Sequence, residues 1–277
     1  MRFDPATTLF ITDLDGTLLD GDKQISQENR DAIAKLTQQD IFFVPASGRA
    51  WTEMPRAIRE NPDIRYYITS DGTQIYDKLD GEIIWEKKIS KETGKWILEE
   101  LYKHDVCLML HDDTRSYTDN ALDNDDTYTR LNMNQIWIDH VRGTNEFVDN
   151  YKEFVYGLGG YLMVCAFFAD PAALAECKAK FSSHSELEVV QSDPNNLEVY
   201  CRQGGKGRAM RELAGILGFP YKQTIAVGDS TNDSNMIKLS GLGLAMENAV
   251  PELKELADFV ICNNDEHAIN YILEHYI

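Results

Sequence analysis

Asp13 and Asp15 stand two residues apart in the segment DLDGT (13–17), directly after the short apolar run TLFIT at residues 8–12. In an extended chain such alternate side chains lean to the same side. Two carboxyl groups held that close do not both ionise freely without a counter-charge. A divalent cation supplies one, and Asp229, in GDSTND at 228–233, offers a third oxygen ligand. Hard carboxylate oxygens with room for water select Mg²⁺ over zinc or copper. The plainer reading is a pair of turn aspartates that shape the loop before Gly16. Read chemically, the pair suits covalent phosphoryl transfer. One aspartate attacks phosphorus and carries the group as an aspartyl-phosphate. The other gives a proton to the leaving oxygen, then takes one from the water that hydrolyses the intermediate. Asp13 and Asp15 fit those roles in that order.

A phosphoryl group in transfer spreads negative charge over its equatorial oxygens, so cations and donors must surround it. Lys206 supplies a point charge, Ser47 a hydroxyl, and Gly48 a place where backbone approaches closely. Asn232 opens a helix, and the free amides of a helix start favour an anion. Singly, each has a plain reading: a Ser-Gly turn, a solvated lysine, an N-cap. The weight lies in their placement at the ends of apolar runs, because ligands of open α/β sheets bind at the carboxyl ends of strands.

Those runs define the scaffold. TLFIT and IFFVPAS (41–47) read as strands buried on both faces of a parallel sheet. Between them Ser26 caps a helix whose apolar stripe carries Ile33 and Leu36. A helical stretch through about Glu60 leads to RYYITSDGTQIYD, two alternating runs around Asp71-Gly72, a hairpin signal. Then the rhythm changes: a helix capped by Ser90, strands VCLML and YLMVCAFFA, a helix opened by Asp170-Pro171, and LEVVQS. From about Asn196 it returns, with NLEVYC, a helix after GGKGR, TIAVGDS, a helix from Asn232, GLGLAM and ADFVICN. The expected fold class is α/β: a doubly wound, Rossmann-like parallel-sheet core at residues 1–85 and 191–277, interrupted by an inserted α+β domain at 86–190.

The chain has 277 residues, 27 basic and 46 acidic, a formal net charge of −19. Such a surface repels polyanions, which argues against nucleic-acid and anionic-membrane partners. No apolar run approaches the roughly 20 residues that cross a bilayer. The N-terminus has no small-residue cleavage site after its apolar run, so a cytoplasmic protein is expected. The five cysteines form no C-x-x-C pair, and Cys107, Cys165, Cys201 and Cys262 sit in apolar, strand-like runs as core residues.

DLDGT, Ser47, Lys206 and GDSTND together resemble the four motifs of the haloacid dehalogenase (HAD) superfamily of phosphohydrolases. The long insertion resembles the type-IIB cap of its Cof-type sugar-phosphatase branch. The resemblance implies that Asp13 is nucleophile and Mg²⁺ ligand. It implies that Asp15 is the general acid/base and binds Mg²⁺ through its backbone carbonyl. Asp229 and Asp233 would complete the metal site, and Ser47, Gly48, Lys206 and Asn232 would hold the phosphate. Members that cleave carbon–halogen bonds lack an acid at the second aspartate, so Asp15 points to phosphate chemistry.

Two features depart from that pattern. The Cof-type branch usually carries Asn-Gly after its third strand, where this chain has Asp71-Gly72. A carboxylate there repels phosphate unless paired, with Arg49 or a cationic substrate group, or else it only makes the hairpin turn. Gly204-Gly205 before Lys206 is also unusual, and a tight turn is expected. Within the insertion, the acidic stretch His111–Asp126 reads either as an exposed loop or as a binder of sugar hydroxyls or an amine. Trp137, Tyr161 and Phe167 read as core of the inserted domain. The expected activity is Mg²⁺-dependent hydrolysis of a small phosphate monoester such as a sugar phosphate. The alternatives are a hexose phosphomutase, which shares these motifs, a phospho-accepting receiver, and a non-catalytic sugar-phosphate binder, which the intact Asp13 and Asp15 disfavour.

Overall fold

The run at Leu9–Thr12 becomes an inner strand of a five-stranded parallel sheet in the computed structural model, which describes residues 3–277. The order across the sheet is Phe259–Val260, Leu242–Ala245, Thr224–Gly228, Leu9–Thr12, Phe42–Pro45. Every residue of Leu9–Thr12 and Thr224–Gly228 is buried, which is why these strands read as continuous apolar runs. The helix Gln27–Gln38 starts where Ser26 Oγ accepts the Asn29 N–H at 3.2 Å, and it buries Ala32, Ile33 and Leu36. The C-terminal helix Ala268–Tyr276 packs against it.

The strands Tyr66–Thr69 and Gln74–Asp77 form the expected antiparallel hairpin, and a parallel bridge from Ala46 to Ile68 joins it to the edge of the large sheet. Its turn is tight. Ser70 and Asp71 take left-handed conformations, with φ of 49° and 54°, and Gly72 follows at 80°. Gly72 O accepts the Gly205 N–H at 3.0 Å, so the hairpin tip lies against the start of the helix Lys206–Leu217. A Cβ on Gly72 would collide with Lys206 N and Gly205 C.

Contacts divide the chain into two units. One takes the chain up to Gly48, Pro55–Trp85 and Gly205–Ile277; the other takes Arg49–Met54 and Glu86–Gly204. This corrects the expected boundary at 190/191. Asn196–Cys201 is not a core strand: it pairs antiparallel with both Met163–Phe168 and Leu187–Val190 in the second unit. Its apolar run suits either sheet, and only pairing distinguishes them. The expected helix through Glu60 is also smaller, a 3-10 turn at Trp51–Glu53 and one turn at Arg56–Arg59 split by Pro55.

The second unit is built on a six-stranded sheet ordered Leu187–Val190, Asn196–Cys201, Met163–Phe168, Val106–Asp112, Arg115–Asp119, Glu146–Val148, antiparallel except for the last pair. Both faces are covered. Leu108, Leu110, Val164 and Ala166 pack with Ile97 and Phe181 on one side, while Cys107, Met109, Met163 and Phe167 pack with Tyr128 and Trp137 on the other. Tyr161 and Phe167 are buried, as expected of core residues. Much of the acidic stretch is internally paired: Asp112 with Lys88 at 2.8 Å, and Asp123 and Asp125 with Arg142 at 2.9 and 2.8 Å.

A buried glutamate fastens Arg49–Met54 to this unit. Glu53 Oε2 accepts the Ala50 N–H at 2.6 Å and lies 3.3 Å from His111 Nε2; Oε1 lies 3.3 Å from His140 Nε2, close enough for charge attraction but not aligned as a hydrogen bond. Burial opposes ionisation of Glu53, but His111, His140 and the Ala50 amide outweigh it and bring the carboxyl down to about 2. The sequence showed no signal for this cluster, since its members are 29 to 87 positions apart.

A carboxyl pKa depressed on folding stabilises the native state above the unfolded value of 4.5, and that stability is lost as pH falls towards about 2. The interaction is therefore expected to contribute on the order of 3 kcal/mol near neutral pH. Glu53→Gln should lower stability at pH 6 and flatten the decline between pH 5 and 2, measured by denaturant unfolding across that range. Gly72→Ala combines a positive φ with a backbone collision, and should cost about 2 kcal/mol or more. Thermal and denaturant melts would register it, and an unchanged midpoint would show that the hairpin tip can move away from Lys206.

Candidate active site

Four loops of the first unit meet at the carboxyl ends of its strands. Asp13 follows Leu9–Thr12, Ser47 follows Phe42–Pro45, Asp71 follows Tyr66–Thr69, and Asp229 follows Thr224–Gly228. In DLDGT, Leu14 is fully buried and anchors the loop between the two aspartates. Asp13 lies inward; its N–H donates to Val227 O at 3.0 Å. Asp15 is partly exposed, and its carboxylate accepts from Lys23 Nζ at 3.0 Å. Gly16 has φ of 85°, and a Cβ there would run into the Asp229 carboxylate, so the loop closes on Asp229 only because residue 16 is glycine. Thr17 Oγ1 donates to Asp229 Oδ1 at 3.1 Å.

Lys206 is the centre of the cluster. Its side chain is buried, and Nζ donates to Asp13 Oδ1 at 2.6 Å and Asp233 Oδ1 at 2.7 Å. Burial works against the charge, but Asp13, Asp233 and Asp71 outweigh it and hold the ammonium well above its ordinary range. Lys206 does not reach the site from a strand end, as the sequence pattern implied. It is the first residue of the helix Lys206–Leu217, entered through Gly205 at φ 103°.

Asp233 is fully buried, and its Oδ2 accepts the N–H groups of Asp229 and Ser230 at 3.0 and 3.1 Å. It thus shapes the GDSTND loop and holds Lys206 at once. The expectation that Asn232 opens a helix needs correction. Asn232 lies in a 3-10 turn, the following helix Ser234–Leu239 has six residues, and two amides of the loop already serve Asp233. Whatever Asn232 offers an anion comes from its side chain. That side chain donates Nδ2–H to Asp71 Oδ1 at 2.9 Å, while its Oδ1 accepts from Ser230 Oγ at 2.7 Å. Asp71 is buried; Asp71 N–H donates to Ser47 O at 3.0 Å, and Gly48 passes close beside its carboxylate.

Oxygen atoms of Asp13, Asp229 and Asp233 all lie within 4.8 Å of one another. Burial pushes the Asp13 carboxyl well up, Lys206 opposes this, and the charges of Asp233 and Asp229 add to it. Burial and the Asp233 charge likewise push Asp229 up to about 6. Three crowded carboxyl groups against one ammonium form a site short of positive charge, and hard oxygen donors suit a divalent cation. The Asp15 carboxyl is outside this group. Gly16, Thr17 and Lys23 are site neighbours that the sequence reading did not single out. Gly16 and Thr17 were signalled by their place in DLDGT, whereas nothing marked Lys23.

Among the described residues, no helix is long and apolar enough to cross a membrane. Residues 10–273 match the haloacid dehalogenase-like hydrolases. The chain is 30% identical to the 5-amino-6-(5-phospho-D-ribitylamino)uracil phosphatase YwtE of Bacillus subtilis, over 95% of each chain. It is 28% identical to the phosphatase YwpJ of the same organism, over 97% of this chain and 99% of that one. Its fold matches a HAD subclass IIB sugar phosphatase with a TM-score of 0.82 at 20% identity, over 98% of this chain and 99% of that one. A buried Lys206 joined to Asp13, the carboxylate cluster around it and near full-length similarity to proteins named phosphatases lead to one assignment: the chain belongs to the haloacid dehalogenase-like hydrolases and is a phosphatase of that family.

Proposed function

We propose that the protein is a Mg²⁺-dependent phosphatase of small phosphate monoesters, sugar phosphates among them, working through an aspartyl-phosphate at Asp13. The observation that carries this reading is the placement of Asp13: a buried carboxylate with one oxygen fixed on Lys206, beside Asp229. Asp13 and Asp229, with the backbone carbonyl of Asp15, would hold the cation, and Asp233 would support them through Lys206 and the loop amides. When bound, Mg²⁺ supplies positive charge to the phosphoryl oxygens and offsets the carboxylates.

Lys206 serves two ends. It orients Asp13 through Oδ1, and its charge favours the negative equatorial oxygens as phosphorus passes from the leaving oxygen to the aspartate. Ser47 and the Asn232 amide add donors to the same group, and Gly48 lets the backbone come near. Asp15, on the more exposed side of the loop and paired with Lys23, gives its proton to the leaving alkoxide and later accepts one from the attacking water. The bond between phosphorus and the leaving oxygen breaks as the Asp13 oxygen–phosphorus bond forms; the water oxygen then bonds to phosphorus as the Asp13 oxygen–phosphorus bond breaks, which releases phosphate and restores the Asp13 carboxylate. The name of the YwtE relative supports including a ribityl phosphate among the substrates tried.

Phosphate release from a panel of sugar phosphates, with 5-amino-6-(5-phospho-D-ribitylamino)uracil included, tests the reading. Release should need added Mg²⁺ and disappear with a chelator. Asp13→Asn should lower it by at least about 1,000-fold, because the amide cannot form the acyl phosphate. Near-normal turnover in that variant would exclude the covalent route. Asp15→Asn should cost about 100- to 10,000-fold and let phosphorylated protein accumulate from an activated ester, since dephosphorylation loses its base. Rapid-quench labelling and mass spectrometry would detect that species at Asp13.

A further inference from the structure

Asp71 is left over by this mechanism. It is a buried carboxylate beside the proposed phosphate-binding residues, where its own charge repels an anion. A turn role alone does not account for it. Asparagine tolerates a φ of 54° equally well, and would make the turn without burying a carboxylate. Asp71 Oδ2 is buried with no hydrogen-bond partner, a costly state for a polar atom.

Its other oxygen explains the choice. Asp71 Oδ1 accepts one N–H of the Asn232 amide at 2.9 Å, and the carbonyl end of that amide accepts from Ser230 Oγ at 2.7 Å. The second N–H of Asn232 is engaged by neither of these two contacts. An ionised carboxylate can only accept, so it bonds to Asn232 only when the NH₂ end faces it. A hydroxyl such as Ser230 both donates and accepts, and cannot fix the orientation by itself. With asparagine at 71 either end of each amide could meet the other, and the flipped Asn232 would present its carbonyl oxygen where the phosphate needs a donor.

We infer that Asp71 is a positioning residue: its carboxylate locks the Asn232 amide in the one orientation that presents an N–H to the substrate phosphate. It acts through Asn232 and does not itself touch the reacting atoms. The inference rests on the proposed phosphate-binding role of Asn232.

A double-mutant cycle read by calorimetric binding of inorganic phosphate, with Mg²⁺ in both solutions, tests it without requiring turnover. Asp71→Asn is nearly isosteric; Asp71→Gly, which suits the positive φ, removes the partner outright and stands in should the first variant fail to fold. In the chain with Asn232, either variant should weaken phosphate binding about 5- to 10-fold. In an Asn232→Ala background Lys206 keeps its charge through Asp13 and Asp233 and the repulsion by Asp71 is lost, so the same change should leave binding unaltered or tighter. Equal effects of the Asp71 change in both backgrounds, including no effect in either, would overturn the inference. Asn232→Ala with undiminished phosphate affinity would overturn it too, by removing Asn232 from the phosphate site. Loss of turnover in Asp13→Asn would still uphold the covalent reading in that case, so the two failures are distinguishable.

Discussion

A single buried ammonium organises the first unit. Lys206 has no exposed side-chain surface, and a lysine so placed is stable only if opposite charges and hydrogen bonds replace the water it has lost. Asp13 and Asp233 supply them, one from the first strand and one from the loop after Thr224–Gly228. Asp13 in turn depends on the lysine, because burial and the charges of Asp233 and Asp229 make its ionisation costly. Segments nearly 200 residues apart are thus held by one side chain, and removing the lysine would leave two buried carboxylates without their counter-charge.

Backbone economy around that charge is equally specific. Gly72 lets the hairpin tip meet the start of the lysine's helix, and Gly205 supplies the φ of 103° through which that helix is entered. Gly207, one position further on, lets the same helix pack against the backbone of Asn235 and Met236 without a Cβ between them. Gly16 leaves room for the Asp229 carboxylate. Gly16, Gly72 and Gly207 mark where loops and helices approach one another more closely than a side chain allows, so the positions of the charges are set by absent atoms as much as by present ones.

The second unit meets a different constraint. Its sheet is apolar on both faces, and Glu53 and His111 are buried side by side in it rather than gathered around a lysine. Here the polar cluster fastens the excursion Arg49–Met54, which follows directly on the Ser47-Gly48 turn. Three aspartates of 111–126, Asp112, Asp123 and Asp125, pair with Lys88 and Arg142. A high acidic count in a sequence therefore does not itself mark a binding site.

The residues able to do phosphoryl chemistry were legible from type and spacing. Asp13 and Asp15 flank a buried leucine, apolar runs end in polar motifs, and DLDGT with GDSTND is too specific a pattern to leave the family open. Strand and helix identities followed from periodicity and caps, as Ser26 and Ser90 show. What one-dimensional patterning does not carry is which sheet a run joins. Asn196–Cys201 is apolar enough for either, and pairing with Met163–Phe168 decided it. Nor does it carry the partner of a polar side chain across distance. That Asp71 meets Asn232, 161 positions away, and that Glu53 lies between two histidines, are facts of packing. Local sequence determines residue chemistry and element type because these depend on near neighbours along the chain. Hydrogen-bond direction, burial and charge compensation depend on neighbours in space, and only the folded structure decides them.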